Sequence, residues 1–292
     1  MVALTLVDGE RADTVPVTDR GLLYGDGVFE TLAYRQQQIL QLTAHLQRLQ
    51  VSCERLGIPI DRRDIERQIA RLLSCLPSGA DAPTEGVIKI IVTRGDGGRG
   101  YAPLASPDAR CLIQFHPMPA DYAGFSQRGI SCMLCRHPVS ANPALAGLKH
   151  LNRLDQVMAS RELVAAQNGA GHDDAWLQEG LMFDVQGNLV EGTRSNVFAV
   201  ISGQLCTPDL SEAGVSGIMR AALLDWFAGQ GVTVIVRRIA GAELALASEI
   251  FICNSVMGIW PVNRVHDFST ETCLTLPDQA LARRAQRGLL SD

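Results

Sequence analysis

Lysine is almost absent from this 292-residue chain, which has two lysines and 24 arginines. Runs of basic residues are also missing, and the formal net charge is −5. Surfaces that bind nucleic acid or anionic membranes depend on clustered Lys and Arg, so this composition argues against both partners. Neither an apolar run of 18 residues nor a cationic leader is present, which argues against a membrane span and a signal peptide. We therefore predict a cytoplasmic protein.

Metal-site and disulfide patterns are equally scarce. Eight cysteines lie scattered, mostly inside apolar runs, as expected for reduced thiols in a core. Only Cys132 and Cys135 form a CxxC pair, and neither a second pair nor histidines at zinc spacing accompany it. We predict that the chain has no metal site.

The secondary-structure signals point to an α+β protein of two domains with mostly antiparallel sheets. Predicted strands come in groups joined by short turns, instead of each being followed by a helix. Prolines and a glycine interrupt the pattern in PMPADYAG, which predicts an interdomain linker at 117–124. The N-terminal domain would then span 1–116 and the C-terminal domain 125–292.

A glycine-rich loop, GDGGRG, follows the strand-like run GVIKIIVTR. It matches the GxGxxG pattern of dinucleotide sites, but prolines continue it as a loop where that motif requires a helix. The loop presents Arg99 and Tyr101. Two interpretations remain open from these residues: a binding loop, or a plain hairpin loop with a solvated arginine.

One of the two lysines lies in the segment PALAGLKHLNRLDQ, just before a predicted helix. The amine of Lys149 can lose its proton and form a Schiff base with an aldehyde, whereas a guanidinium stays protonated. The alternative is an exposed lysine at a helix start. The other lysine, Lys89, alternates with apolar residues in a strand and could equally face solvent.

Two further segments carry groups that could hold an anionic ring compound. EGTRSNVF places Glu191 at a strand end beside small polar residues. The alternative interpretation of this segment is a plain hairpin turn. A helix then begins at Ser216 as a predicted N-cap, with no acid in its first turn, so its N-terminus can bind an anion. A lysine, an acid and such a helix N-terminus are the parts that a pyridine aldehyde phosphate requires.

Seven blocks of the chain resemble, in order, those of the fold-type IV pyridoxal-phosphate enzymes. This family includes branched-chain and D-amino-acid aminotransferases and aminodeoxychorismate lyase. The blocks are TDRGLLYGDGVFET, AHLQRL, VTRGDGGRGY, GLKHLNRLDQV, EGTRSNVF, GVSGIMR and ICNSVMGIWPV.

The resemblance implies a bound pyridoxal 5'-phosphate and a role for each matching residue. Lys149 would be the Schiff-base lysine, and Glu191 would pair with the pyridinium nitrogen. Arg48 would bind the phosphate and Val215 would pack against the ring. The remaining phosphate contacts implied are Ser195, Asn196, and the backbone of Ile218 and Met219.

Within the family, GGRGY and GLKHLNRLDQV look most like the lyases, which convert 4-amino-4-deoxychorismate to 4-aminobenzoate and pyruvate for folate synthesis. Lys149 would then abstract the proton that precedes pyruvate elimination. Thr31 is a candidate proton donor to the departing pyruvate carbon.

The substrate has two carboxylates, so the resemblance also implies cations that bind them. Arg99 and Arg153 are the candidates, with Tyr101 and Phe29 at further substrate positions. A D-amino-acid or branched-chain aminotransferase of the same fold is the alternative activity, and a non-catalytic small-molecule binding protein is an alternative of another class. Family members are homodimers, so a homodimer is expected.

Overall fold

The computed structural model describes residues 4–97, 100–169 and 177–289. The chain divides into two compact units, each with its own sheet. The N-terminal unit comprises Met1–Pro119 and Leu148–Asn152, and the C-terminal unit comprises Ala120–Gly147 and Arg153–Asp292. Both units combine helices with sheets, so the α+β class is confirmed.

The N-terminal unit contains a six-stranded sheet in the order β2-β1-β6-β5-β3-β4, with every pairing antiparallel. Its strands are β1 (Leu4–Val7), β2 (Glu10–Arg11), β3 (Gly27–Arg35), β4 (Gln38–Ile39), β5 (Glu85–Thr93) and β6 (Arg110–Pro117). Its helices are α1 (Arg20–Tyr24), α2 (Leu42–Leu56), α3 (Arg62–Ser74) and a 3-10 turn (Gly79–Asp81).

Turn and cap residues set the local order of this unit. Asp8 and Gly9 both have positive φ (50° and 82°) between β1 and β2, as a tight hairpin turn requires. Asp61 caps α3 by accepting the N–H of Arg63. The apolar faces of α2 and α3 then pack onto the sheet, and Leu46, among others, is buried there.

The C-terminal unit contains a mixed sheet in the order β12-β11-β10-β13-β14-β7-β8-β9, with β15 beside β14. Its strands are β7 (Ile130–Leu134), β8 (Leu177–Phe183), β9 (Leu189–Gly192), β10 (Asn196–Ile201), β11 (Gln204–Pro208), β12 (Val234–Arg237), β13 (Ala247–Asn254), β14 (Gly258–Asp267) and β15 (Thr272–Thr275). Its helices are α4 (Tyr122–Arg128), α5 (Leu154–Gly169), α6 (Ile218–Gly229), a 3-10 helix (Gly241–Leu246) and α7 (Ala280–Leu289).

Antiparallel pairs outnumber parallel ones in this sheet, although β7 lies parallel to both β14 and β8, and β11 lies parallel to β12. Helix α5 packs against β8, whereas α6 and α7 pack on β13. Trp260 is completely buried in the core, where the ring of Tyr122 contacts it edge-on at 4.9 Å.

Two features differ from the predicted division of the chain. The segment 117–124 is largely structured, because Pro117 ends β6 and Tyr122 begins α4. The segment Leu148–Asn152 belongs to the N-terminal unit, although it was predicted within the C-terminal domain. Its backbone pairs with β3. No local sequence pattern indicates a pairing between two segments so far apart in the chain.

The CxxC cysteines lie in the core of the C-terminal unit. Burial raises the pKa of the Cys135 thiol to about 12 and raises that of Cys132 well above its ordinary value. Across the described ranges, no group of three side chains is arranged to hold a metal ion. The helices within those ranges are too short or too polar to span a bilayer.

Candidate active site

The backbone around Lys149 is fixed by hydrogen bonds to β3. The N–H of Phe29 donates to the Lys149 carbonyl at 2.9 Å, and the N–H of Leu151 donates to the Gly27 carbonyl at 2.9 Å. A Cβ on Gly27 would collide with the side chain of Leu151 and with the backbone of β5, so glycine permits this close approach. The position of the lysine along β3 is therefore fixed by the main chain.

Both lysines of the chain contact the same aromatic ring. The Nζ atom of Lys149 lies 4.4 Å from the centre of the Phe29 ring, and that of Lys89 lies 5.6 Å from it. Both distances fall in the range of cation–π attraction. Thr31, two residues after Phe29 on the same face of β3, is the cross-strand neighbour of Lys89. Two predicted catalytic residues and one predicted substrate residue thus lie together.

Arg48 is held by a buried carboxylate on the neighbouring strand. Its Nε and Nη2 donate to the two oxygens of Glu30 at 2.7 and 2.6 Å, and His45 Nδ1 lies 2.6 Å from the same carboxylate. Burial raises the pKa of Glu30, but hydrogen bonds and charge from Arg48 and His45 outweigh it and lower the pKa overall. The predicted phosphate ligand is thus oriented by a two-pronged ion pair.

The glycine-rich loop is anchored by a buried arginine of helix α1. Arg20 donates to the carbonyls of Gly100 and Tyr101 at 3.2 and 2.7 Å and to Asp26 at 2.9 Å. The side chain of Tyr101 is 84% exposed and contacts the ring of Tyr24. Arg99, the other predicted substrate residue of this loop, lies outside the described residues.

In the C-terminal unit, Glu191 is 4% exposed and is oriented by two neutral donors. The Gln156 amide donates to Oε1 at 3.0 Å, and the backbone N–H of Val215 donates to Oε2 at 2.8 Å. The carbonyl of Val215 in turn accepts the Asn196 amide at 2.9 Å. Four residues from three predicted motifs therefore form one hydrogen-bonded set.

The turn that follows Glu191 is built over a second acid, Glu179, which is fully buried. Its carboxylate accepts the backbone N–H and the hydroxyl of Thr193, and also the hydroxyl of Ser195 at 3.1 Å. Arg194 Nε lies farther away, at 3.6 Å. The hydroxyl proton of Ser195 thus has an acceptor within the protein, which competes with its predicted contact to a phosphate.

Helix α6 begins one residue later than predicted, with Gly217 as its N-cap. The N-cap position is held by Gly217 and not by Ser216, and glycine makes no side-chain cap hydrogen bond. A Cβ at Gly217 would collide with the amide oxygen of Asn196, which explains why glycine stands there. Ile218 and Met219 open the helix with no acid in the first turn, so the dipole favours an anion here.

Arg153, the second predicted substrate arginine, precedes helix α5. Burial lowers the pKa of its guanidinium, whereas the nearby charges of Glu191 and Asp155 act in the opposite direction. A guanidinium still keeps its proton at neutral pH, so Arg153 contributes a fixed positive charge near Glu191.

Three residues of these networks had no role in the sequence predictions: Glu30, Gln156 and Glu179. The sequence did offer one signal for two of them, because Glu30 in GVFETLAY and Glu179 in WLQEGLMF interrupt apolar strands. Acids are almost never fully buried unless they are paired, so an acid in such a strand indicates a polar partner, although it does not identify that partner. Gln156 gave no comparable signal.

The fold and these motifs define a class of protein. The family model for class IV aminotransferases matches residues 27–265, so the chain belongs to this family, whose members depend on pyridoxal phosphate. The predicted family and cofactor are confirmed.

The similar proteins include two lyases. An aminodeoxychorismate lyase of Vibrio harveyi is 31% identical over 284 residues, covering 97% of this chain and 98% of that protein. The crystal structure of 4-amino-4-deoxychorismate lyase from Pseudomonas aeruginosa superimposes with a TM-score of 0.86 and 42% identity, over 99% of each chain. A Methanocaldococcus jannaschii protein, provisionally named a branched-chain-amino-acid aminotransferase, is 33% identical over 87% of this chain and 83% of its own.

Proposed function

We propose that this enzyme converts 4-amino-4-deoxychorismate to 4-aminobenzoate and pyruvate, a step of folate synthesis. The observation that carries the proposal is the 42% identity, over 99% of both chains, with the Pseudomonas aeruginosa lyase. The Vibrio harveyi lyase supports it over 97% of the chain.

The donor set of the C-terminal unit fits pyridoxal phosphate. Glu191 is a buried carboxylate whose orientation is fixed, which suits a protonated pyridine nitrogen. The start of helix α6 has no side-chain cap and no acid in its first turn, which suits the phosphate. We assign the phosphate contacts to the backbone of Ile218 and Met219, with Asn196, Ser195 and Arg48, and the packing against the ring to Val215.

When bound, pyridoxal phosphate supplies an electron sink for the bond that breaks at the substrate carbon bearing nitrogen. Lys149 would hold the cofactor covalently and, once released by the substrate amine, would take the proton from that carbon. Glu191 would keep the pyridine nitrogen protonated. The C–O bond to the enolpyruvyl group then breaks, and Thr31 would return a proton to the methylene carbon of the departing pyruvate, so no water or redox partner is consumed.

The substrate contacts follow from charge. Arg153 and Arg99 would bind the two carboxylates by paired hydrogen bonds. Phe29, already in contact with the Lys149 ammonium, and Tyr101, exposed on the anchored loop, would pack against the substrate ring. A cytoplasmic homodimer remains our expectation, and the molar mass of the purified protein in solution tests the dimer.

Product analysis tests the proposal. The purified enzyme, given aminodeoxychorismate and pyridoxal phosphate, should release 4-aminobenzoate and pyruvate in equal amounts. The 33% identity with the Methanocaldococcus jannaschii protein favours an aminotransferase as the second candidate. Amino-group transfer from branched-chain or D-amino acids to 2-oxoglutarate, without 4-aminobenzoate, would replace the lyase by that activity. A protein that takes up no added cofactor would contradict both.

A further inference from the structure

Gln156 reaches Glu191 from the first turn of helix α5. Its Nε2 donates to Oε1 of Glu191 at 3.0 Å, while the other carboxylate oxygen accepts the N–H of Val215 at 2.8 Å. The amide cannot be turned around without placing its oxygen against the carboxylate, so the direction of this hydrogen bond is fixed by charge. Each oxygen of Glu191 therefore has a donor attached to a different element.

The amide oxygen of Gln156 shows that burying this side chain beside Glu191 has a free-energy cost. Its Oε1 atom is buried and has no hydrogen-bond partner among the described residues. A buried acceptor without a partner destabilises a fold, and methionine would fill a similar volume without that cost. The gain that offsets this cost is the hydrogen bond to Glu191.

A second amide acts on the same carboxylate through the main chain. Asn196 donates to the Val215 carbonyl at 2.9 Å, so the main chain of Val215 is hydrogen-bonded on both sides, through its carbonyl to Asn196 and through its N–H to Glu191. A carboxylate accepts through both of its oxygens, and here each oxygen receives one of these two hydrogen bonds. Two uncharged donors, on different segments of the chain, thus act on the orientation of this carboxylate.

We infer that Gln156 is a positioning residue, which sets the plane of the Glu191 carboxylate so that it meets a protonated pyridine nitrogen. This inference rests on the proposed function, since it takes the cofactor nitrogen as the partner of Glu191. The effect of Gln156 would be exerted through Glu191 alone.

The test compares Gln156→Glu and Gln156→Met with matched changes at Gln167. Gln167 lies on the same helix, but its amide donates to the Leu177 carbonyl. Two quantities would be measured for each variant: the dissociation constant for pyridoxal phosphate, by equilibrium dialysis, and the ¹⁵N chemical shift of ring-labelled cofactor bound to the protein.

Gln156→Glu places a second carboxylate against Glu191, so the two should share a proton and the ring nitrogen should shift toward its unprotonated value. Gln156→Met loses the donor, and its dissociation constant should rise about ten-fold. The Gln167→Glu and Gln167→Met variants should keep the wild-type ¹⁵N shift and stay within about two-fold in affinity.

Four outcomes are decisive. A changed shift and affinity at Gln156 but not at Gln167 supports the inference. Unchanged values in both Gln156 variants overturn it while leaving the proposed function intact. Equal changes at both glutamines also overturn it, because a general effect on helix α5 explains them. A wild-type protein that binds no pyridoxal phosphate overturns the proposed function, and the inference with it. If Gln156→Glu fails to fold, Gln156→Met decides the matter.

Discussion

The two units hold their buried and half-buried acids in different ways. In the N-terminal unit the hydrogen bonds include at least one from an arginine in each case: Glu30 accepts from Arg48, Asp26 from Arg20 and Arg94, and Asp19 from Arg110. In the C-terminal unit they come mainly from neutral groups. Glu179 accepts hydroxyl and backbone donors of the following turn, and Glu249 accepts the backbone N–H groups of Leu281 and Ala282 in the first turn of helix α7.

This difference decides the direction of the pKa shifts. Burial raises the pKa of Glu30 and Asp26, but guanidinium hydrogen bonds and charge outweigh it, and both pKa values are lowered. Burial also raises the pKa of Glu249, and two backbone hydrogen bonds do not compensate, so its pKa stays raised. Nearby positive charge favours the ionised form of an acid and lowers its pKa, whereas the two neutral donors of Glu249 do not offset the cost of burial.

The largest effect is expected from Glu30→Gln. The change leaves the half-buried guanidinium of Arg48 without its ion pair, which should lower the free energy of unfolding by about 3–5 kcal/mol at pH 7. Because the pKa of Glu30 is lowered in the folded state, its stabilisation is present above the unfolded value of about 4.3. It disappears as the pH falls through the folded value.

Urea unfolding of wild type and Glu30→Gln across pH 3–8 measures this difference. The exposed pair between Arg62 and Glu66 supplies the control, since Glu66→Gln should cost about 0.5 kcal/mol or less. A loss at Glu30 no larger than at Glu66, or one that grows in acid, would remove the contrast between the units.

An intermediate effect is expected from Glu179→Gln. The new NH₂ group would face donors that the carboxylate now accepts, so unfolding should become easier by roughly 1–3 kcal/mol. The backbone N–H of Thr193 should also exchange with solvent faster, which amide hydrogen exchange measures directly. The exposed Glu212, which pairs with Arg238, is the matched control. Unchanged exchange at Thr193 would show that Glu179 does not hold the turn.

The smallest effect at pH 7 is expected from Glu249→Gln, within about 1 kcal/mol, because it removes a buried charge but keeps an acceptor. The direction in which the stability difference between variant and wild type changes with pH is the more informative result. With its pKa raised in the folded state, Glu249 binds its proton more tightly there, so its contribution to stability falls as pH rises above about 4.3. The variant should therefore gain stability relative to wild type with rising pH; the opposite trend would refute the assigned shift.

Local chemistry made parts of the fold predictable. An Asp-Gly pair is typical of a tight hairpin turn, and Asp8 and Gly9 form one; aspartate is a preferred N-cap, and Asp61 caps α3. The start of α6 was missed by one residue, because Ser216 is a good cap by residue type but the close approach of Asn196 requires glycine at 217. The pairing of Leu148–Asn152 with β3 joins residues 120 positions apart, which no local pattern encodes.

For the candidate site, the sequence indicated which residues could have a role but not the contacts that orient them. The resemblance to known enzymes supplied roles for Lys149 and Glu191, since those roles belong to motifs. It did not supply the groups that orient Arg48 and Glu191, because the contacts of Glu30 with Arg48 and of Gln156 with Glu191 form only when the chain folds. The contact of both lysines with Phe29 is another example, since no local pattern places Lys89 at the same ring as the proposed catalytic amine.

The scarcity of lysine makes one measurement decisive for the central claim. Purified protein loaded with pyridoxal phosphate would be treated with sodium borohydride, which fixes the cofactor on the amine that holds it, and the peptides would be analysed by mass spectrometry. Only Lys149, Lys89 and the N-terminal amine can carry the label. The proposed mechanism predicts the pyridoxyl group on Lys149 and its loss in Lys149→Ala. A label on Lys89, or none on Lys149, would contradict it.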